Sequence, residues 1–166
     1  MSEDSGGGAM SILVRRATKA DAQAISRLNA DVQAIHAAAL PGWFKPASTG
    51  TLPPEAAAEL IEDPDSLVFL AEVSSEPAGY AYAEVIRRPE EPWREAYEMV
   101  YLHHISVRPA CRRKGVGEAL IGAWRAAAGE LGITLLALDV WSFNEDARRF
   151  FRRHGFTAYN ERLWNR

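Results

Sequence analysis

The spacing of apolar residues changes several times along the chain, and each change marks an element. Ile12 to Arg16 is a short strand-like run. Beyond Thr18, Ile25, Leu28, Val32 and Ile35 recur at intervals of three and four, which predicts an amphipathic helix ending before Pro41-Gly42. Thr18 and Asp21 form a Thr-x-x-acid start for it. The loop Trp43 to Gly50 follows, and Pro53-Pro54 opens a second helix through Glu62. Three β-rich runs come next, Ser66–Val73, Gly79–Arg87 and Tyr97–Val107. The turn SSEPAG and the polar loop Arg88 to Ala96 join them, so they predict an antiparallel meander. Gly115 to Leu131 has helical spacing, with Val116, Leu120, Ile121, Trp124 and Ala128 on one side. The nearly continuous apolar run Ile133 to Trp141 suits a strand covered on both faces. A short helix, Asn144 to Arg153, is stopped by Gly155, and Thr157 to Trp164 can form a last strand.

This order predicts an α/β (α+β) fold, a mixed sheet with helices on both faces. At 166 residues the chain fits one domain, residues 11–166, behind a glycine-rich segment 1–10 read as disordered. No apolar run approaches the roughly 18 residues of a membrane span, and a single cysteine allows no internal disulfide. Both features point to a cytoplasmic protein without membrane partners. A net charge of −3 argues against a nucleic-acid binder. Within that acidic chain, Arg108, Arg112, Arg113 and Lys114 cluster, which points to a small phosphorylated ligand.

The cluster belongs to Arg112-x-x-Gly115-x-Gly117, between a strand and a helix. Backbone N–H groups at a helix N-terminus bind a diphosphate well, and the helix dipole adds to the attraction. Glycines at 115 and 117 let the backbone approach closely. The Gly-Lys-Ser/Thr of a P-loop is missing, and the spacing from the strand is wrong for a dinucleotide fingerprint. An ordinary turn with solvated basic residues is the alternative.

Two blocks carry a resemblance. Ile105-Ser106-Val107-Arg108-Pro109, followed by Arg112-x-x-Gly115-x-Gly117, resembles the acyl-coenzyme A signature of the GNAT superfamily of acetyl-CoA-dependent N-acetyltransferases. Asn144-x-x-Ala147-x-x-Phe150-Phe151-x-x-x-Gly155-Phe156 is similar to that superfamily's C-terminal motif. The resemblance implies a mostly antiparallel sheet of six to seven strands with a splayed V between the fourth and fifth. It also implies acetyl-CoA as cosubstrate, with no metal. Expected cosubstrate contacts are Ile105, Val107, Arg112, Arg113, Lys114, Gly115, Val116, Gly117, Asn144 and Phe151. Main-chain atoms of Ile105 and Val107 would hold the pantetheine arm, and a backbone N–H there would stabilise the reaction's oxyanion.

An alkylammonium must lose a proton before it attacks. Regular alternation puts Tyr101, His103 and Ile105 on one face and Leu102 and His104 on the other, unless a bulge intervenes. In the superfamily, positions matching Tyr101 and His103 often bear the base, and Glu84 and Glu98 on neighbouring strands are rivals. Many members have a tyrosine acid where this chain has Phe151, and phenylalanine cannot protonate a thiolate. A thiol pKa near 8.5 still allows departure unassisted or through water. Tyr159 or Tyr101 could substitute for that acid. Asn144 either reaches the pantetheine arm or sits in a helix start alongside the capping-box pair Ser142 and Glu145. Cys111, with no adjoining histidine, reads as a loop residue.

The acceptor pocket implied by the resemblance comes from residues 33–45 and 90–98. These supply His36, Trp43, Phe44, Trp93 and Tyr97, with Glu90, Glu91 and Glu95 nearby. Such a mixture suits a cationic amine, on a small molecule or a peptide. The same aromatic residues could instead close the edge of the core. A homodimer is compatible with the resemblance, though no residue specifies one. A non-catalytic acyl-CoA sensor is the alternative function, and Phe151 is the feature that favours it.

Overall fold

A computed structural model describes residues 11–165; the segment expected to be disordered, residues 1–10, lies outside them. β1 (Ile12–Arg16) leads through Lys19–Asp21 into α1 (Ala22–Ala39), and α2 (Pro54–Glu62) follows. Then come β2 (Ser66–Val73), β3 (Glu76–Arg88) and β4 (Tyr97–Val107), followed by α3 (Val116–Glu130), β5 (Leu136–Leu138) and α4 (Glu145–Arg153). The sheet order is β1-β2-β3-β4-β5. All pairs are antiparallel except β4 with β5, which run parallel.

Each helix start has a local cause. The Asp21 carboxylate accepts from the Thr18 N–H at 2.7 Å and takes two bonds from the Arg15 guanidinium at 2.8 and 2.9 Å. Pro54 fills the first turn of α2, where its missing N–H costs nothing. Two apolar clusters sandwich the sheet. Ile25, Leu28, Ala57, Leu70 and Tyr80 join α1 and α2 to one face. Phe69, Ala81, Ala83, Val100, Leu102, Leu120, Trp124 and Phe151 join α3 and α4 to the other.

The expected mixed sheet with helices on both faces is present, with five strands among the described residues in place of six to seven. Thr157 to Trp164, expected as a last strand, pairs with no described strand. The apolar run Ile133 to Trp141 contributes only Leu136–Leu138, and the expected cover on both faces is not there: Leu135 and Val140 are exposed, and Ile133 and Ala137 are the buried residues of the run. The β2–β3 turn is just Ser74-Ser75, both at positive φ (51° and 64°). β3 therefore begins at Glu76, three residues before the expected start.

Candidate functional site

β4 and β5 stay together for three residue pairs only, Val100–Leu102 with Leu136–Leu138. Beyond Leu102 no described strand pairs with the β5 side of β4. Ile105 and Val107 lie on that parted stretch, their side chains packed toward the α3 cluster. The Val107 carbonyl accepts from Arg112 Nε at 3.0 Å.

The chain leaves β4 through Pro109–Cys111 and enters α3 at Gly115, whose φ of 87° suits a residue without a Cβ. Arg113, two residues earlier, also holds a positive φ of 61°. Among the described residues no side chain caps α3, so its first amides are left to another partner. Arg112, Arg113 and Lys114 are exposed around that tip, and Val116 turns into the core. Gly117 is close to α4: a Cβ there would stand 3.3 Å from the Phe150 ring. Cys111 is buried, with the Arg108 guanidinium 3.6 Å from its sulfur, as befits a loop residue.

Asn144 caps α4, its Oδ1 accepting from the Ala147 N–H at 3.1 Å. The cap is therefore Asn144 and not Ser142. Phe151, expected beside the cosubstrate, is placed in the core, edge-on to both Phe150 and Phe156. Phe150, one position earlier, is the ring beside Gly117.

On β4 the alternation is broken. Tyr82 of β3 pairs with His104, while the next residue, Ala83, pairs with Leu102, so His103 is the extra residue of a bulge. The bulge corrects the regular reading: His104 joins Tyr101 and His103 on the α1 face, and Ile105 moves to the α3 face with Leu102. The three residues expected to act as acid or base, His103, Tyr101 and Glu84, do come together. His103 Nε2 is 2.7 Å from Glu84 Oε2, and its ring stands 4.9 Å from those of Tyr101 and Tyr82. Burial, with Asp139 beside it, pushes the Tyr101 hydroxyl far above its ordinary value. Glu98 sits further back on the sheet, paired with Arg87.

His104 has a different setting. It is largely buried, its Nδ1 lies 3.1 Å from Tyr80 Oη, and burial together with His103 and His36 lowers its pKa to about 4. The Tyr80 hydroxyl is 2.8 Å from the amide of Asn29, which is 3.1 Å from Thr51 Oγ1. This polar chain was not foreseen. Its members come from four distant segments, and no local pattern links them.

His36 stacks on Phe44 (4.9 Å) and meets Phe143 edge-on at 6.0 Å, while Trp141 crosses Phe44 at 5.2 Å. Trp43 meets Trp164 at 5.2 Å. Trp141 and Phe143 were missed as neighbours of His36, and Trp164 as a neighbour of Trp43 and Trp141; the aromatic residues three and five positions after β5 were the available signal. Trp93 and Tyr97 are not in this group. Trp93 is 77% exposed, and Tyr97, under the Arg94 guanidinium, begins β4, six residues or about 20 Å before His103.

A parallel pair that parts beside an uncapped helix tip is the distinguishing feature of this sheet, and similarity to known proteins gives its class. The acetyltransferase (GNAT) family model matches residues 32–156. The chain belongs to the GNAT acetyltransferase family. An uncharacterized N-acetyltransferase in the pepI 3′ region of Lactobacillus delbrueckii subsp. lactis is 28% identical over 107 residues, 63% of this chain and 59% of that relative. The chain thus spans less than two thirds of that relative's length. Among solved structures, a tetramutant of the BH1408 protein from Bacillus halodurans has a TM-score of 0.88 at 22% identity, covering 93% of this chain and 99% of that one. The aminoglycoside N-acetyltransferase AAC(6′)-Iy in complex with CoA has a TM-score of 0.68 at 19% identity, covering 96% and 97%. At these identities the two structures speak for the fold. Among the described residues no group of His, Cys, Asp or Glu could hold a metal, and no helix is long and apolar enough to cross a membrane.

Proposed function

We propose that this protein transfers an acetyl group from acetyl-CoA to a primary amine of a small molecule or peptide. The observation that carries the reading is the parting of β4 from β5 beside the uncapped tip of α3. The residues there fit a coenzyme A diphosphate. The tip is exposed, Gly115 brings its backbone to the surface, and three cations surround it. Acetyl-CoA would supply a thioester whose thiol leaves as the amide forms.

The first amides of α3, with Arg112, Arg113 and Lys114, bind the diphosphate. The unpaired margin of β4 at Ile105 and Val107 holds the arm, and Asn144, whose Oδ1 accepts from the Ala147 N–H, would reach it through Nδ2. A β4 amide donates to the developing negative charge. The acceptor nitrogen enters from the α1 face, where Tyr101, His103, His104 and Glu84 gather between Tyr82 and His36. The aminoglycoside acetyltransferase neighbours support a small amine acceptor.

Release of free thiol from acetyl-CoA across a panel of primary amines tests the reading. Turnover on at least one amine is expected. Tight coenzyme binding with no turnover on any amine would establish the sensor reading, which Phe151 favours.

A further inference from the structure

Two imidazoles face the acceptor side of β4, and their partners separate them. His103 turns back to β3, its Nε2 held by Glu84 and its ring stacked on Tyr82 at 15°. His104 commits Nδ1 to Tyr80, and its Nε2 has no hydrogen-bond partner among the described residues. The groups facing His104 are Tyr80 and Tyr82 of β3, His103 on β4 itself and His36 of α1. His36 leads on to the aromatic residues beyond β5.

We propose that His104 is the catalytic residue that takes the acceptor's proton, and that Tyr80, Asn29 and Thr51 are positioning residues that keep hydrogen on Nδ1 and leave Nε2 bare.

The direction of the chain follows from hydrogen counting. Thr51 has one hydroxyl hydrogen and two acceptors in reach, the Ser48 carbonyl at 2.7 Å and Asn29 at 3.1 Å. A carbonyl can only accept, and 2.7 Å is the usual O–H···O length. With that hydrogen on Ser48, Asn29 must donate to Thr51. As the side chain stands, Nδ2 faces Tyr80 and Oδ1 faces Thr51. The two ends of an amide have the same shape, so neighbouring hydrogens decide its direction, and here they favour the reverse. The lengths agree. Thr51 to Asn29, at 3.1 Å, is long for O–H···O and ordinary for N–H···O, and Tyr80 to Asn29, at 2.8 Å, is ordinary for O–H···O. Tyr80 then donates to Asn29 and can only accept from His104, whose Nδ1–H fits the 3.1 Å separation.

In the reaction the amine lone pair forms the C–N bond and the C–S bond breaks, leaving its electron pair on sulfur. The N–H proton goes to His104 Nε2, and from the imidazolium to the thiolate directly or through water. Burial leaves His104 a weak base. The nitrogen carries positive charge once bonded to the acyl carbon, so its proton is far more acidic than that of a free alkylammonium, and a weak base serves.

The proposal rests on the acetyl-transfer reading but has a separate readout. Two-bond proton–nitrogen NMR of the full chain with labelled histidine, assigned by loss of signal in His104→Gln, should show hydrogen on Nδ1 and bare Nε2 at neutral pH. A protonated Nε2 would overturn it. Tyr80→Phe should move the hydrogen to Nε2, and an unmoved pattern would remove Tyr80 from the chain. If that variant fails to fold, Thr51→Val should give a mixture of the two tautomers, and an unmixed pattern would break the chain at Thr51. In kinetics, His104→Gln should lower kcat/KM for an amine that the parent acetylates by roughly 100-fold, with coenzyme A affinity unchanged. Loss in His103→Gln and none in His104→Gln would overturn the assignment. Absence of turnover on every amine would sink acetyl transfer, and the catalytic role with it, while the NMR pattern still judges the chain.

Discussion

Lowering the pH should destabilise this fold through His104 before it touches any carboxylate pair. The imidazole has an ordinary pKa of 6.5 and is held at about 4 in the folded protein, first by burial and then by His103 and His36. Between those values the unfolded chain binds a proton that the folded chain refuses, so stability falls as pH falls. The contribution is complete above 6.5 and gone near 4. Each pKa unit corresponds to about 1.4 kcal/mol, so the whole loss is roughly 3 kcal/mol, a large part of a typical 5–15 kcal/mol stability. Urea unfolding followed by tryptophan fluorescence, at intervals from pH 7.5 to 4, reads the slope. Trp124 is fully buried and reports the core. His104→Gln removes the titration and keeps a polar side chain, so its curve should lose about 3 kcal/mol less than the parent's over that range. His36, also held down by burial, tilts both curves alike. Parallel curves for parent and variant would refute the linkage.

Gly79→Ala should cost about 2 kcal/mol in the same assay, because its Cβ would stand 2.6 Å from the Ser106 carbonyl oxygen and press Val116 and Leu120. An unchanged urea midpoint would show that the strands part freely there. Arg113→Glu and Lys114→Glu should each raise the acetyl-CoA KM about tenfold and leave the unfolding midpoint alone; an unchanged KM would remove the diphosphate from the α3 tip. Asp21→Asn, which spoils the helix start and the Arg15 pair, should cost about 1 kcal/mol at pH 7. Arg15 holds the Asp21 carboxyl at about 2, so that advantage is complete above 3.8 and should shrink as pH falls through the window below it. A difference that persists at pH 2 would point to a cause other than the charge.

Local rules carried most of the fold. The bounds of β2 and β4 and the extent of α2 follow from period and proline placement, which act within a few residues. The β2–β3 turn was misjudged because Ser74 and Ser75 adopt positive φ without the Asn or Gly that usually announces it. Gly79 carried a signal that went unread: a glycine inside a strand often marks close backbone approach, and here it lets Ser106 come near. The α3 tip was legible because glycines and cations sit together in sequence. The acceptor side was not, since Asn29, Thr51, Tyr80 and His104 meet only once the sheet is built.

The bulge at His103 explains why both halves of the site meet on one strand. A regular β4 would carry Ile105 on the same face as His103, and it could not pack Leu102, Ile105 and Val107 together against α3. One extra residue reverses the alternation midway. The residues before it keep their pairing with β5, and those after it present apolar side chains to α3 and His104 to the α1 face. The reversal falls one residue past Leu102, where β5 departs. Deleting His103 would restore regular pairing and leave His104 facing α1 and Ile105 facing α3, because Leu102 and His104 already pair with adjacent residues of β3. Such a chain should keep most of its acetyl transfer if His103 itself has no part in the chemistry. His103→Ala, which keeps the residue count, should retain most of it. Equal loss in both variants would show that the His103 side chain takes part, and loss in the deletion alone would show that the bulge itself is needed.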